Sequence, residues 1–196
     1  MSAQNISKKD PAKIVSPAKS IVLVGLMGAG KTCIGTRLAR KLGMGFVDAD
    51  DEIEMAAGCT IEEIFDQYGE QAFRDGERRV IARLLEGDPR VVATGGGAFV
   101  NPETRENVRR KGISVWLKAD VDVLLQRVSR RNNRPLLKNG DKRETLERLI
   151  DERYPAYAEA DLTVESGSDS PDITVAKVIE ALKTLDDARP TEAAAE

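Results

Sequence analysis

The sequence predicts an α/β fold: a parallel sheet with helices on both faces. Three observations carry that expectation. Five short apolar runs alternate with stretches of helical periodicity between residues 20 and 185, the order that strand–helix–strand units require. The first run, Ile21-Val22-Leu23-Val24, is continuously apolar, as in a strand covered on both faces. Glycine-rich segments follow the first and third runs, at the carboxyl ends of strands, where open sheets of this kind bind ligands.

Each element has its own signal. The strand at 21–24 stops at Gly25, and a helix over 31–42 closes at Gly43, a residue suited to the left-handed C-cap. Phe46-Val47-Asp48 is a short strand. Thr60 and Glu63 form a capping-box pair that starts another helix. Residues 70–86 read as a longer helix, with Phe73, Val80, Ile81, Leu84 and Leu85 mostly on one side. Val91-Val92-Ala93-Thr94 is the third strand. A helix over 102–110 takes Pro102 in its first turn. Residues 113–117 form a strand and 121–128 a helix, while 130–141 lack apolar periodicity and read as a loop. A helix over 144–159 is expected to bend or break at Pro155. Residues 162–164 make the last strand and 173–185 the closing helix. The folded domain thus spans 20–185. Residues 1–19, with two prolines and no apolar core of a signal peptide, and the acidic 186–196 read as disordered tails.

Composition removes several chemistries. The chain has 196 residues, is 41% hydrophobic and 32% charged, and carries 30 basic against 33 acidic residues, the profile of one globular domain without a nucleic-acid-binding surface. There is no histidine. That excludes Ser-His-Asp and Cys-His hydrolases and His-ligated zinc, and any pH–rate step near neutrality must come from carboxylates, phosphate, Cys or Lys. Two cysteines, Cys33 and Cys59, fit a reduced, cytoplasmic protein better than a disulfide scaffold. No apolar run approaches the length of a membrane span.

The strongest motif is Gly25-Leu26-Met27-Gly28-Ala29-Gly30-Lys31-Thr32, a G-x-x-x-x-G-K-T phosphate loop between strand and helix. Its amides, including those of Gly28, Ala29 and Gly30, can wrap phosphate oxygens at a helix N-terminus. Lys31 can bridge the β- and γ-phosphates, and the Thr32 hydroxyl can ligate Mg²⁺. Cys33, next in line, reads as a small buried filler rather than a nucleophile. Strand alternation would send Asp48 and Asp50 to the same side, where one can hold the metal shell and the other accept a hydroxyl proton; Asp51 and Glu52 read as helix-start charges. Gly95-Gly96-Gly97 are either a tight turn against the sheet or a close approach of backbone amides to a small ligand. Arg127, Arg130, Arg131 and Arg134 flank the loop at 130–141, a candidate mobile basic lid over phosphates. Arg74 and Arg153 stand among acidic residues. They are surface ion pairs or, if aimed into the site, planar forks for a substrate carboxylate.

In order and spacing, Gly25 to Thr32, Asp48-Ala49-Asp50, Phe73-Arg74, Gly95-Gly96-Gly97, Arg134-Pro135-Leu136-Leu137 and Arg153 before Tyr154-Pro155-Ala156-Tyr157 resemble the shikimate kinase family of P-loop kinases. The resemblance covers nearly all of residues 20–164. It implies a three-layer fold with strand order 2-3-1-4-5 and a mobile lid, and transfer of the ATP γ-phosphoryl to the 3-hydroxyl of shikimate, in aromatic amino acid biosynthesis. It implies that Asp50 bonds the substrate hydroxyls and serves as candidate base, and that Asp48 belongs to the magnesium water shell. It implies that Arg74 and Arg153 hold the shikimate carboxylate with an amide of the glycine triplet, at Gly96 or Gly97, in a substrate site that includes Gly95, and that Arg134 covers the ATP phosphates beside Lys31, Thr32 and Cys33. An adenine-contacting loop is implied near 166–171. Where the family often has Ser-Thr, this chain has Thr32-Cys33, which keeps the metal-ligating hydroxyl.

The expected partners are therefore ATP and shikimate, with Mg²⁺ as cofactor, in a cytoplasmic monomer that binds neither nucleic acid nor membrane. Two alternatives stand beside this reading: another small-molecule P-loop kinase, such as a gluconate kinase, and a nucleotide-binding module without catalysis. A GTPase is disfavoured because no Asn-Lys-x-Asp stretch is present.

Overall fold

A computed structural model describes residues 18–129 and 141–187. Five parallel strands, β1 (Ser20–Val24), β2 (Gly45–Asp48), β3 (Arg90–Ala93), β4 (Gly112–Lys118) and β5 (Leu162–Glu165), form one sheet in the order β2-β3-β1-β4-β5. Around it run α1 (Lys31–Leu42), α2 (Ala49–Ala57), α3 (Ile61–Leu84), α4 (Pro102–Lys111), α5 (Val121–Ser129), α6 (Lys142–Tyr157) and α7 (Pro171–Asp187). The expected fold class and strand order are both observed.

Burial explains why the continuous apolar run takes the middle. β1 pairs with β3 (Ile21 opposite Val91) and with β4 (Ile21 opposite Ile113), and residues 21–24 are fully buried. Fully burying one such aliphatic side chain is worth roughly 1.5–3 kcal/mol, so this run is stable only with neighbours on all sides. β2 and β5 lie at the edges and are partly exposed. The phosphate loop therefore leaves the central, fully buried strand, and the carboxyl ends of β2 and β3 lie on the same edge of the sheet.

Local signals set the helix ends. Gly43 takes the left-handed C-cap of α1 (φ 67°). Thr60 and Glu63 exchange both bonds of the capping box, and Asn101 caps α4 with Pro102 in its first turn. The two helical stretches on either side of residue 69 meet end to end in α3, and Gly69 (φ 78°, ψ 173°) breaks the helical path between them. Three expectations need correction. Asp48 and Asp50 do not share a strand face: Asp48 ends β2 and caps α2 by accepting from the Asp50 amide at 3.1 Å, so Asp50 sits in the first helical turn. The helix α6 is not ended by Pro155, which falls in its last turn, two residues before the end; only the final hydrogen bonds are at stake there. Cys33 is half-exposed rather than buried.

The lid expected at 130–141 falls almost wholly outside the described residues, as do Arg130, Arg131, Arg134 and residues 1–17 and 188–196 of the expected tails. Among the described residues, no helix is long and apolar enough to cross a membrane.

Candidate active site

Two clefts open along the carboxyl edge of the sheet. The first, about 360 Å³, is lined by Gly28, Gly30, Lys31, Thr32, Cys33, Asp48, Asp50, Gly96 and Arg127, with Pro171 and Thr174 from α7. The second, about 350 Å³, is lined by Glu70, Arg74, Glu77, Gly97, Asn101 and Arg153, among others. The glycine triplet separates them, with Gly96 facing one cleft and Gly97 the other.

The phosphate loop is shaped by its glycines. Gly25, Gly28 and Gly30 all have positive φ (139°, 85° and 96°), a region side chains rarely adopt. A Cβ on Gly25 would also stand 2.7 Å from the Leu117 carbonyl oxygen of β4. Inside the loop, the Ala29 amide donates to the Leu26 carbonyl at 3.1 Å, and Ala29 itself is 1% exposed. Ala29 thus lies beneath the loop while Gly28 and Gly30 line the cleft. The Lys31 ammonium donates to the carbonyls of Gly25 (2.7 Å) and Leu26 (3.0 Å), which holds it over the loop.

Thr32 and Asp48 meet. The threonine Oγ1 donates to the Asp48 carboxylate at 2.7 Å. This pair joins the two sequence motifs at a place that supplies two hard oxygen donors beside the phosphate loop. Among the described residues there is no cluster of three or more acidic, Cys or His side chains that could cage a metal. The Thr32–Asp48 pair of oxygen donors suits an ion such as Mg²⁺, which keeps several waters and binds through one or two protein groups plus phosphates.

The glycine triplet serves space rather than backbone freedom. None of the three glycines has positive φ. A Cβ on Gly95 would meet Glu77 Oε1 at 2.6 Å and Asp50 Oδ1 at 2.9 Å, one on Gly96 would stand 3.3 Å from an Arg153 nitrogen, and one on Gly97 would meet Arg74 Nη1 at 2.6 Å. Each missing side chain makes room for a different charged group. The two acids and two arginines so gathered come from α2, α3 and α6, far apart in sequence.

Arg74 is partly held by its own helix. It pairs with Glu77 at 2.9 Å and Glu70 at 3.1 Å, and its guanidinium lies 5.0 Å from the Phe73 ring. Burial pulls its pKa down, but the two glutamates outweigh that and raise it. Glu77 is 3% exposed and its Oε1 accepts no hydrogen bond. Burial pushes its carboxyl above the usual range, against the pull of Arg74 and with help from the nearby charge of Asp50.

Two groups escaped the sequence reading. Glu77 looked like one more counter-charge on a charged helix; only its burial and the empty side of Gly95 mark it. Arg127 looked like part of the basic lid, yet it is fixed on α5. Its guanidinium donates to the carbonyls of Gly28 (3.2 Å), Ala29 (3.3 Å) and Gly167 and to the Ser166 hydroxyl (3.1 Å). Burial lowers its pKa. Ser166, fully buried, donates to the Ala29 carbonyl at 2.9 Å. The segment after β5 is thus bonded to the phosphate loop through both residues. Cys33 accepts from Arg37 at 2.8 Å.

A charged cleft beside a phosphate loop suits phosphoryl transfer between a nucleotide and a small anion. Comparison with known proteins agrees. The family model described as "Shikimate kinase" matches residues 27–183. A shikimate kinase of Paramagnetospirillum magneticum is 57% identical over 88% of this chain and 89% of its own. One of Caulobacter vibrioides is 58% identical over 85% and 83%. Among solved structures, a shikimate kinase from Acinetobacter baumannii in complex with shikimate superposes with TM-score 0.84 at 38% identity, covering 91% of this chain and 100% of the other. A gluconokinase from Sinorhizobium meliloti shares the fold at 18% identity and TM-score 0.59, over 87% and 94%.

Proposed function

This chain belongs to the shikimate kinase family, and from that premise we propose that it transfers the γ-phosphoryl of ATP to the 3-hydroxyl of shikimate. The observation that carries this reading is the meeting of Arg74, Arg153, Asp50 and Glu77 around Gly95 to Gly97. Two guanidiniums beside two clefts match a substrate that has one carboxylate and several hydroxyls. A gluconate kinase shares only the fold with this chain, and a non-catalytic nucleotide binder has no need of the second cleft.

The roles follow from position. ATP occupies the cleft of Gly28, Gly30, Lys31, Thr32 and Cys33, with Arg127, Pro171 and Thr174 at its far side. Thr32 and, through water, Asp48 would hold Mg²⁺, which would supply charge neutralisation to the β- and γ-phosphates. Lys31 moves from the loop carbonyls to the phosphates and stabilises the transferred group. Asp50 orients the attacking hydroxyl and is the candidate to accept its proton. Arg74, Arg153 and the amides of Gly96 and Gly97 hold the carboxylate. Arg134, which lies outside the described residues, is proposed as a further cation for the ATP phosphates. The protein acts as a cytoplasmic monomer with its two substrates as its partners; both cysteines are free thiols, as a reducing compartment leaves them.

Phosphorus and proton NMR of the product formed from ATP and shikimate checks the position of transfer. Phosphate on the 3-hydroxyl with equimolar ADP is expected. ADP and inorganic phosphate without a phosphorylated acid would contradict the reading.

A further inference from the structure

Tyr157, the last residue of α6, is 1% exposed and packs against Trp116 and Tyr154 at ring-centroid distances of 5.9 and 6.1 Å. Its hydroxyl donates to the Gly96 carbonyl. Arg153, one helical turn earlier, has a guanidinium nitrogen 3.3 Å from where a Cβ on Gly96 would stand, and its charge pulls against the effect of burial on the Tyr157 hydroxyl. The Tyr157 hydroxyl thus meets the glycine triplet beside an arginine of the second cleft.

We propose that Tyr157 is a positioning residue for the substrate carboxylate, fixing the Gly96–Gly97 peptide beside the Arg153 guanidinium. This rests on the reading of the site as one that binds shikimate. In a trans peptide the carbonyl and the following amide point in opposite directions, and this chain has no cis peptide among the described residues. Holding the Gly96 oxygen therefore sets where the Gly97 N–H points. Two adjacent glycines would otherwise let that peptide rotate. The aromatic packing makes the anchor rigid: the Tyr154 ring, itself in contact with Tyr157, meets Trp116 edge-on at 4.8 Å. Burial pushes the Tyr157 hydroxyl up to about 12, so it remains a donor throughout the working pH range.

The test is Tyr157→Phe, which keeps the ring and removes only the oxygen, measured with shikimate, shikimate methyl ester and ATP. Tyr154→Phe is the control. KM for shikimate should rise roughly tenfold, the cost of one buried hydrogen bond, with kcat and the KM for ATP unchanged. With the ester, which lacks the carboxylate, the two proteins should differ by less than about twofold, as expected once the coupled partner is removed. Tyr154→Phe should leave the KM for shikimate at the wild-type value. Equal KM values for Tyr157→Phe and wild type, or KM values for shikimate and ATP that rise together with a fall in Tm, would overturn the inference while leaving the function intact. A wild-type chain that phosphorylates no shikimate would overturn the reading of the site, and this inference with it.

Discussion

Glu77 and Asp50 present their oxygens to the same gap beside Gly95, and the two acids differ in what surrounds them. Asp50 lines the nucleotide cleft, where a nucleophilic hydroxyl would arrive. Asp50→Asn should lower kcat by about 10²-fold or more, the usual span for a positioned acid–base group, with little change in ATP affinity by titration. Glu77 is enclosed, and its raised pKa makes a stability prediction. An acid whose folded pKa lies above its unfolded value binds more protons when folded, so its contribution to stability falls as pH rises. Wild type should therefore lose stability relative to Glu77→Gln as pH climbs from about 4.5, the ordinary carboxyl value; chemical denaturation at several pH values reads the difference. Arg153→Lys keeps the charge but loses the planar fork. It should raise the KM for shikimate about tenfold or more without altering the KM for ATP.

Most elements were legible because their signals are local. The phosphate loop is a contiguous run, the capping box lies within four residues, and the strands are separated by clear helical periods. Contacts between elements were not legible. Nothing near Arg127 in sequence signals that it bonds residues 28, 29 and 167, and nothing near Ser166 signals the phosphate loop. The glycine triplet reads in sequence as a tight turn or an approach of backbone amides to a small ligand; its neighbours in the structure are the protein's own charged side chains. Strand alternation failed at Asp50 because β2 ends at Asp48 and the helix begins at once. Two element-scale outcomes follow. Gly25→Ala should destabilise the fold by about 1–3 kcal/mol, since φ is positive, and the clash with the Leu117 carbonyl adds to this. Ser166→Ala leaves the partner groups of a buried hydroxyl unpaired and should cost about 1–3 kcal/mol; thermal melts of both variants supply the comparison.

The whole molecule places its chemistry where the sheet is best supported. The carboxyl ends of β1, β2 and β3 supply the phosphate loop, Asp48 and the triplet, while α3 and α6 bring Arg74 and Arg153 to the second cleft. The absence of histidine costs this arrangement nothing, because lysine, arginine, carboxylates and a divalent ion suffice. The described site begins with the loop after β1 and none of the proposed site residues lies in 1–17, so deleting residues 1–17 should change kcat and KM by no more than about twofold. The central claim is the identity of the acid that accepts the phosphoryl group. Initial rates of ADP release from the full chain, with ATP, Mg²⁺ and shikimate, gluconate or a nucleoside monophosphate in parallel, test it most directly. Saturable turnover with shikimate and background rates with the others is the predicted result. Turnover with gluconate or a nucleotide, and none with shikimate, would contradict it.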